Sequence, residues 1–275
     1  MILPLALSST PSGTAVFAAT VIVYLLAAWL PSERLARWQP RALMLAWLMH
    51  TATVVLDTLS VDAGGGVSAR FGFAPVLSAT VWLVLTVYVV ESRLVPLPGV
   101  RRVFALLGAA VVALSWTFPG DIPAPAYSPW LPLHWVLGVA SYGLFGAAVL
   151  HATMLDGAER RMRLKDAAPA SGPMGMPLLR LEKLTFRFVE AGFVALTAAL
   201  LLGWWFTQHW RWDHKTVFSL LGWLVFAALL IGRHVSGWRG RRATRWLYVG
   251  AALLLLAYIG SRFVLEVLLH RLPQP

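Results

Sequence analysis

The sequence has no cysteine, few charged residues and still fewer acidic ones. Without cysteine, the chain forms no disulfide, binds no metal through a thiolate and offers no thiol for covalent attachment of a cofactor. Charged residues make up only 13% of the chain, against about 25% in an average soluble domain. Lys and Arg number 23 against 12 Asp and Glu, giving a net charge of +11. In a soluble protein that charge would favour nucleic acid as a partner.

The chain contains several long apolar stretches with few charged residues. Hydrophobic residues make up 59% of the chain, and the mean hydropathy is +0.70. Each apolar stretch has about 17–23 residues, enough to cross a hydrocarbon layer of ~30 Å. Lipid offers no partner to an open strand edge, so the spans must be helices. The sequence therefore predicts an all-α, polytopic integral membrane protein with a single transmembrane domain over residues 1–275. Its predicted spans, about eight, are 13–30, 41–59, 73–92, 102–118, 132–154, 185–206, 216–232 and 246–268.

The basic residues are distributed unevenly between the predicted loops. The loops after spans one, three, five and seven, with the adjoining span ends, hold 18 of the 23 Lys and Arg residues. Because cytoplasmic loops are enriched in these residues, we expect both termini to face outward. The first span has its positive charge after it, so we interpret it as an uncleaved span rather than a signal peptide. Topology thus accounts for the net charge, and the expected partner is the lipid bilayer rather than nucleic acid.

Polar residues within this topology concentrate toward the outer half of the membrane. Ionisable groups in spans are costly and usually functional. Histidines close to Lys and Arg residues indicate a ligand that contains a metal, which imidazole coordinates, and that also carries negative charge. Haem fits, because its iron binds imidazole and its propionates pair with Lys or Arg. The outer-half residues are Asp57, His134, His209, His214, Lys215, Arg262 and His270. His50 lies near mid-membrane, seven residues before Asp57 on the same helix face.

The densest stretch runs from residue 203 to residue 217, at a predicted membrane surface. It holds four tryptophans, two histidines, an aspartate and a lysine. One interpretation is an interfacial aromatic belt with snorkelling cations. The other is a flat apolar surface for a macrocycle, since a belt has no need of two histidines and an aspartate within six residues.

A family resemblance rests on three parts of the sequence. The segment from Trp212 to Leu220 resembles the tryptophan-rich "WWD" region of the cytochrome c assembly family, the CcsA- and CcmC-type haem-handling membrane proteins. That family's core is Trp-Asp-Pro-Lys-Glu. Trp212, Asp213 and Lys215 match it, whereas His214 replaces the proline and Thr216 replaces the glutamate. This departure, with the stretches 237–242 and 257–262, resembles the YpjD- and HemX-type inner membrane proteins.

The resemblance implies haem binding or haem passage at the outer, periplasmic face of a bacterial inner membrane. It implies support of cytochrome c biogenesis, with cytochrome c maturation proteins or the apocytochrome as possible partners. His134 resembles the histidine at the family's fifth-span start, and His50 its mid-span histidine in the second helix. In the family, flanking histidines ligate the haem iron, which implies His134 and His214 here. The cofactor-binding residues expected on this basis are His50, His134, Trp204, Trp212, Asp213, His214, Lys215 and Arg262.

Plainer roles stay open for these residues. His134 would simply hydrogen-bond at a helix start, His214 would be an interfacial polar residue, and His50 would bond across helices. Arg262 would pair with Glu266 or Asp57 instead of a propionate. We expect His151, His234 and His270 to be interfacial.

Two other classes of function also stay open. One is a membrane regulator or scaffold of a haem-synthesis or other membrane partner, acting through the basic inner loop 155–184. The other is a permease-like transporter, which needs a continuous polar path across the membrane. We expect no enzyme, because Gly64–Gly66 lacks the lysine of a phosphate-binding loop.

Overall fold

The computed structural model describes residues 11–29, 38–61, 67–70, 72–92, 98–120, 129–163, 178–206, 212–264 and 267. The chain divides into two compact units. Unit 1 comprises residues 1–125 and 265–275, and unit 2 comprises residues 126–264. The expectation of a single transmembrane domain stays a prediction, and each unit is described by itself below.

The described residues of unit 1 form four helices and a short antiparallel hairpin. Helix α1 packs against α2 and α4, and α3 packs against the same two helices. Tyr24 and Leu85 are among the fully buried side chains of this unit. The elements are α1 (Pro11–Trp29), α2 (Gln39–Thr58), β1 (Leu59–Val61), β2 (Val67–Ala69), α3 (Phe73–Ser92) and α4 (Pro98–Thr117).

The described residues of unit 2 form four long helical segments, the last of which contains a π-helical turn. Its core is held by Phe145 and Phe226, whose rings stack with centroids 3.8 Å apart. Helix α5 packs along α6, and α8 packs against both α5 and α7. The elements are α5 (Leu131–Arg163), α6 (Leu178–Phe206), α7 (His214–Ser236), α8 (Gly240–Leu255), the π segment (Leu256–Gly260) and α9 (Ser261–Phe263).

The predicted fold class is confirmed, since each of the eight predicted spans corresponds to a helix. Within the described ranges, seven helical stretches are long and apolar enough to cross a membrane. Helix α2 has a sufficient length of 20 residues, but Arg41, His50 and Asp57 lower its mean hydropathy. Large apolar side chains such as Val235, 80% exposed, and Leu179, 71% exposed, cover the outer surfaces of the helices. Such surfaces suit lipid rather than water.

One expectation about the connections needs correction, and one feature was not predicted. The loop 155–184 is shorter than predicted, because α5 continues to Arg163 and α6 begins at Leu178. Hydropathy ends a span at the first charges, whereas Ala, Glu, Arg and Met favour the continuation of a helix into water. The loop between α2 and α3 carries the hairpin, so the described chain is not purely helical. The proline-containing stretch 167–173 and the glycines 64–66 lie outside the described residues.

Candidate functional site

His134 lies in the first turn of α5 and faces the last turns of α6. Its Nδ1 is 2.8 Å from the backbone carbonyl oxygen of Ala199. Its ring makes an edge-on contact with Phe206, with centroids 5.5 Å apart. A Cβ placed on Gly203 would lie 3.1 Å from the ring's Cε1, so glycine at this position avoids a tight steric contact with the ring. Three residues of α6 thus fix the imidazole in one orientation.

This hydrogen bond also determines the tautomer of a neutral His134 ring. A carbonyl oxygen only accepts, so Nδ1 carries the proton and donates it. The lone pair of the ring is then on Nε2, which makes no hydrogen bond to any residue that the structure describes. Metal-binding histidines typically have this arrangement, with one nitrogen donating to a carbonyl and the other left for the metal.

The tryptophan-rich motif forms the start of α7. Asp213 is the N-cap, and its Oδ1 accepts a hydrogen bond of 2.8 Å from the amide of Thr216. His214 occupies the first helical position, where proline is also favoured, and its side chain is exposed. The two departures from the family core therefore leave the helix cap intact. Any role of Asp213 in cofactor binding stays a prediction, beside the capping role that the structure gives it.

Two predicted cations converge on one aromatic ring. The Lys215 ammonium lies 5.5 Å from the centroid of the Tyr258 ring, and the Arg262 guanidinium carbon lies 5.8 Å from it. Both distances are within the range of cation–π attraction. Lys215 also lies within electrostatic range of His134. The structure thus brings His134, Lys215 and Arg262 into one neighbourhood of unit 2.

Tyr258 lies in the π segment, which interrupts the last membrane helix. A π-helical turn carries an extra residue and is frequently found at functional sites. On α5, two turns beyond His134, the hydroxyl of Tyr142 donates a hydrogen bond to the carbonyl oxygen of Leu254, just before this turn. Tyr142 and Tyr258 were not expected as site residues, because a π turn depends on tertiary packing and has no sequence pattern of its own.

Three tryptophans of the stretch 203–217 lie in the described part of the chain, and all three are largely exposed. Trp204 in the last turn of α6 is 65% exposed, Trp205 is 78% exposed, and Trp212 before α7 is 73% exposed. Trp204 and Trp212 were expected to bind a cofactor, which stays a prediction, and an exposed apolar ring surface suits both a macrocycle and a lipid belt. His209 lies outside the described residues.

His50 has a different environment, inside unit 1. The side chain is fully buried, and both ring nitrogens are engaged. Nδ1 is 3.0 Å from the Tyr24 hydroxyl, and Nε2 is 2.9 Å from the Ser78 hydroxyl. This arrangement is the interhelical bonding named above as its plainer role. It leaves neither nitrogen for an iron, so the cofactor role of His50 stays a prediction that this geometry does not favour.

Other polar groups of the second span are also buried. Asp57 accepts a hydrogen bond from Ser115 through Oδ2, whereas its Oδ1 has no partner among the described residues. Arg70 donates from Nη2 to the carbonyl oxygen of Gly120 at 2.6 Å. His151 was expected to be interfacial, and this is wrong: it is fully buried and stacks on Phe188, with centroids 5.2 Å apart. His234 is exposed as expected, and Glu266 and His270 lie outside the described residues.

The residues of unit 2 fit a haem group by their donor chemistry. The Nε2 of His134 is unprotonated, and the hydrogen bond from Nδ1 to Ala199 holds the ring in place. Lys215 and Arg262 offer positive charge to the haem propionates. Exposed tryptophans offer apolar ring surface. Among the described residues, no three His, Asp or Glu side chains come together as a metal site, whereas haem iron needs only one or two protein ligands.

Comparison with known proteins places the chain in a family. The family model described as cytochrome C assembly protein matches residues 42–269. Inner membrane protein YpjD of Escherichia coli strain K12 is 29% identical over 238 residues, which are 84% of this chain and 89% of that protein. Cytochrome c biogenesis protein CcsA of Guillardia theta is 30% identical over 157 residues, 50% of this chain and 52% of that protein.

A second CcsA protein, from Synechococcus strain JA-3-3Ab, is 33% identical over 117 residues, 38% of this chain and 34% of that protein. No solved structure matches the chain significantly. The chain therefore belongs to the cytochrome c assembly protein family, as its tryptophan-rich motif predicted. With its apolar helices and its similarity to YpjD, it is a multi-pass protein of the bacterial inner membrane.

Proposed function

We propose that this protein binds haem at the outer face of the membrane and positions it in support of cytochrome c biogenesis. The observation that carries the proposal is the His134 imidazole, whose Nδ1 is bonded to Ala199 while its Nε2 is left for an iron. Family membership and the names of the CcsA relatives supply the biological context.

Each candidate residue of unit 2 has a proposed role in haem binding. His134 ligates the iron through Nε2, and His214, exposed at the first position of α7, is the candidate for the second ligand. Lys215 and Arg262, both close to Tyr258, pair with the two propionates. The exposed rings of Trp204 and Trp212 pack against the macrocycle. Haem held by these residues would be passed on intact to a cytochrome, where it would supply the iron centre.

We infer the outer location from the positive-inside rule, which assigns the basic loops to the cytoplasmic side. The starts of α5 and α7 are at the opposite ends of their helices and therefore on the outer side. We further propose that the chain holds haem without catalysing its attachment by itself. It has no cysteine, so the thiols for a covalent bond belong to a partner such as the apocytochrome. Maturation proteins of the same membrane are the proposed partners.

An absorption spectrum of the detergent-purified protein, with and without added haem, tests the proposal. The wild-type protein should show a Soret band with low-spin features, and the double variant His134→Ala/His214→Ala should lose it. His234→Ala is the matched control, because His234 is exposed and, among the described residues, bonds only to the carbonyl oxygen of Leu230 in its own helix. A wild-type spectrum unchanged by added haem would overturn the proposal, and an unchanged band in the double variant would overturn the ligand assignment.

A further inference from the structure

A cavity in unit 2 is separate from the candidate haem residues. It has a volume of about 400 Å³ and lies between the C-terminal part of α5 and the N-terminal part of α8. These are the basic, predicted inner ends of the two helices. The lining side chains are Asp156, Arg160, Arg241, Thr244, Arg245 and Tyr248.

Helical spacing explains why these residues meet. On α8 the lining residues recur three, four and seven positions after Arg241, so they share one face. On α5, Asp156 and Arg160 are one turn apart. Asp156 joins the two helices, because its Oδ1 accepts from the Thr244 hydroxyl at 3.0 Å and its Oδ2 accepts from the Tyr248 hydroxyl at 2.8 Å. The carboxylate is thereby committed to two hydroxyls.

Among the described residues, the guanidinium groups of the three cavity arginines make no hydrogen bond or ion pair, although the backbone carbonyl of Arg241 accepts from the Thr244 hydroxyl at 3.4 Å. Other arginines nearby are engaged. Arg233 pairs with Glu182 at 2.9 Å, and the guanidinium of Arg242 lies 4.2 Å from the Trp238 ring. Three guanidinium groups against one lining carboxylate leave the cavity positively charged. A second carboxylate, that of Glu159, lies at the start of α8, where a Cβ on Gly240 would be 3.2 Å from its Oε1.

The surroundings indicate the kind of anion. Guanidinium groups bind phosphate oxygens through paired hydrogen bonds, and basic pockets between membrane helices on the inner side bind anionic lipid headgroups. Just beyond the cavity, Trp246 and Val249 on α8 are 36% and 52% exposed. They offer apolar surface to an acyl chain directly beside the charged groups.

We propose that this cavity binds a phosphate-bearing anion at the inner face of the membrane. Arg160, Arg241 and Arg245 contact the phosphate oxygens, while Asp156, Thr244 and Tyr248 hold the two helices at the separation that the phosphate needs. The phosphate belongs either to an anionic phospholipid or to a soluble phosphate compound, and the two sources are separated by experiment.

The test measures binding to the full-length protein in detergent at constant ionic strength. One arm adds phosphatidylglycerol, a second adds phosphatidylcholine, and a third adds inorganic phosphate. Retained lipid is counted by native mass spectrometry, and the midpoint of thermal unfolding is recorded in all arms. Binding of phosphatidylglycerol alone identifies a lipid site, and stabilisation by inorganic phosphate as well identifies a site for soluble phosphates. The proposal would be overturned if neither phosphatidylglycerol nor inorganic phosphate binds. Equal retention of both lipids without an effect of inorganic phosphate would also overturn it.

Variants assign the binding to the cavity. Arg241→Gln/Arg245→Gln should lower the retention of the phosphate ligand about tenfold or more, at roughly 1 kcal/mol for each arginine near an anionic surface. Arg239→Gln/Arg242→Gln removes the same charge from the same end of α8, outside the cavity lining, and should change retention less than about twofold. Equal losses in the two pairs would show diffuse charge attraction and contradict the proposal. If the first pair fails to fold, Arg160→Gln on α5 replaces it, with an expected loss of about fivefold.

Discussion

Two histidines in membrane helices, one in each unit, have opposite hydrogen-bonding situations. His50 is fully buried, and both of its nitrogens are engaged, by Tyr24 and by Ser78. His134 has one nitrogen bonded to the carbonyl oxygen of Ala199 and the other without a partner among the described residues. A histidine in a span is thus a candidate ligand only where its environment leaves one nitrogen unbonded, and that condition holds in unit 2. We expect His50 to stabilise the protein and His134 to bind haem.

Removing His50 should destabilise the protein strongly. His50→Leu leaves the hydroxyls of Tyr24 and Ser78 buried without their partner, and should lower the free energy of unfolding by about 2 kcal/mol, with haem binding retained. Unfolding in mixed detergent–SDS micelles measures the loss. In the His50→Leu background, Tyr24→Phe should cost less than in the wild type, because the shared hydrogen bond is already gone. Loss of the Soret band with unchanged stability would reverse the assignment of the two histidines.

A second prediction concerns the glycine behind His134. A Cβ on Gly203 would lie 3.1 Å from the ring's Cε1 and 3.4 Å from Nδ1. Gly203→Val should therefore turn the ring and lengthen its bond to Ala199, which lowers haem affinity about tenfold. Haem titration followed at the Soret band measures this. Gly138→Val is the matched control, because a Cβ there meets no atom within 4 Å. Equal affinities in the two variants would show that the orientation of His134 is unimportant for haem.

The cations beside Tyr258 should have a smaller effect. Lys215→Gln or Arg262→Gln removes one propionate partner, so each should weaken haem binding about fivefold. The loss should be greater at low ionic strength than at high ionic strength, since salt screens exposed charges. Haem titrations at two salt concentrations check this. If the wild type and both variants bind haem with the same affinity at both salt concentrations, Lys215 and Arg262 do not pair with the propionates.

The smallest predicted effect concerns the helix cap of α7. Asp213→Ala removes the acceptor for the Thr216 amide and should cost about 1 kcal/mol of stability, whereas Asp213→Asn keeps an acceptor and should cost less. Thermal unfolding of the three proteins compares them. If Asp213→Asn abolishes haem binding while keeping stability, the carboxylate acts on the cofactor in addition to capping the helix.

Hydropathy was sufficient to predict the helices, because membrane spans depend on local composition. It failed where structure depends on partners distant in the chain. The bond from His134 to Ala199 joins residues 65 positions apart, and the contact of Lys215 with Tyr258 relies on a π turn. The extension of α5 to Arg163 was missed because charge was taken as the end of the helix rather than the end of the hydrocarbon layer. The predicted topology grouped His134, Lys215 and Arg262 in the outer half of the membrane, and Lys215 and Arg262 do lie beside the same Tyr258 ring. Their role in cofactor binding stays a prediction.

Chemical rescue tests whether His134 ligates haem through Nε2. In His134→Gly the ring is gone, and the space bounded by Ala199, Gly203 and Phe206 is free for imidazole. The variant should lose the low-spin Soret spectrum and regain it when imidazole is added, with a saturable dependence on imidazole concentration. A low-spin spectrum in His134→Gly before imidazole is added would contradict the claim.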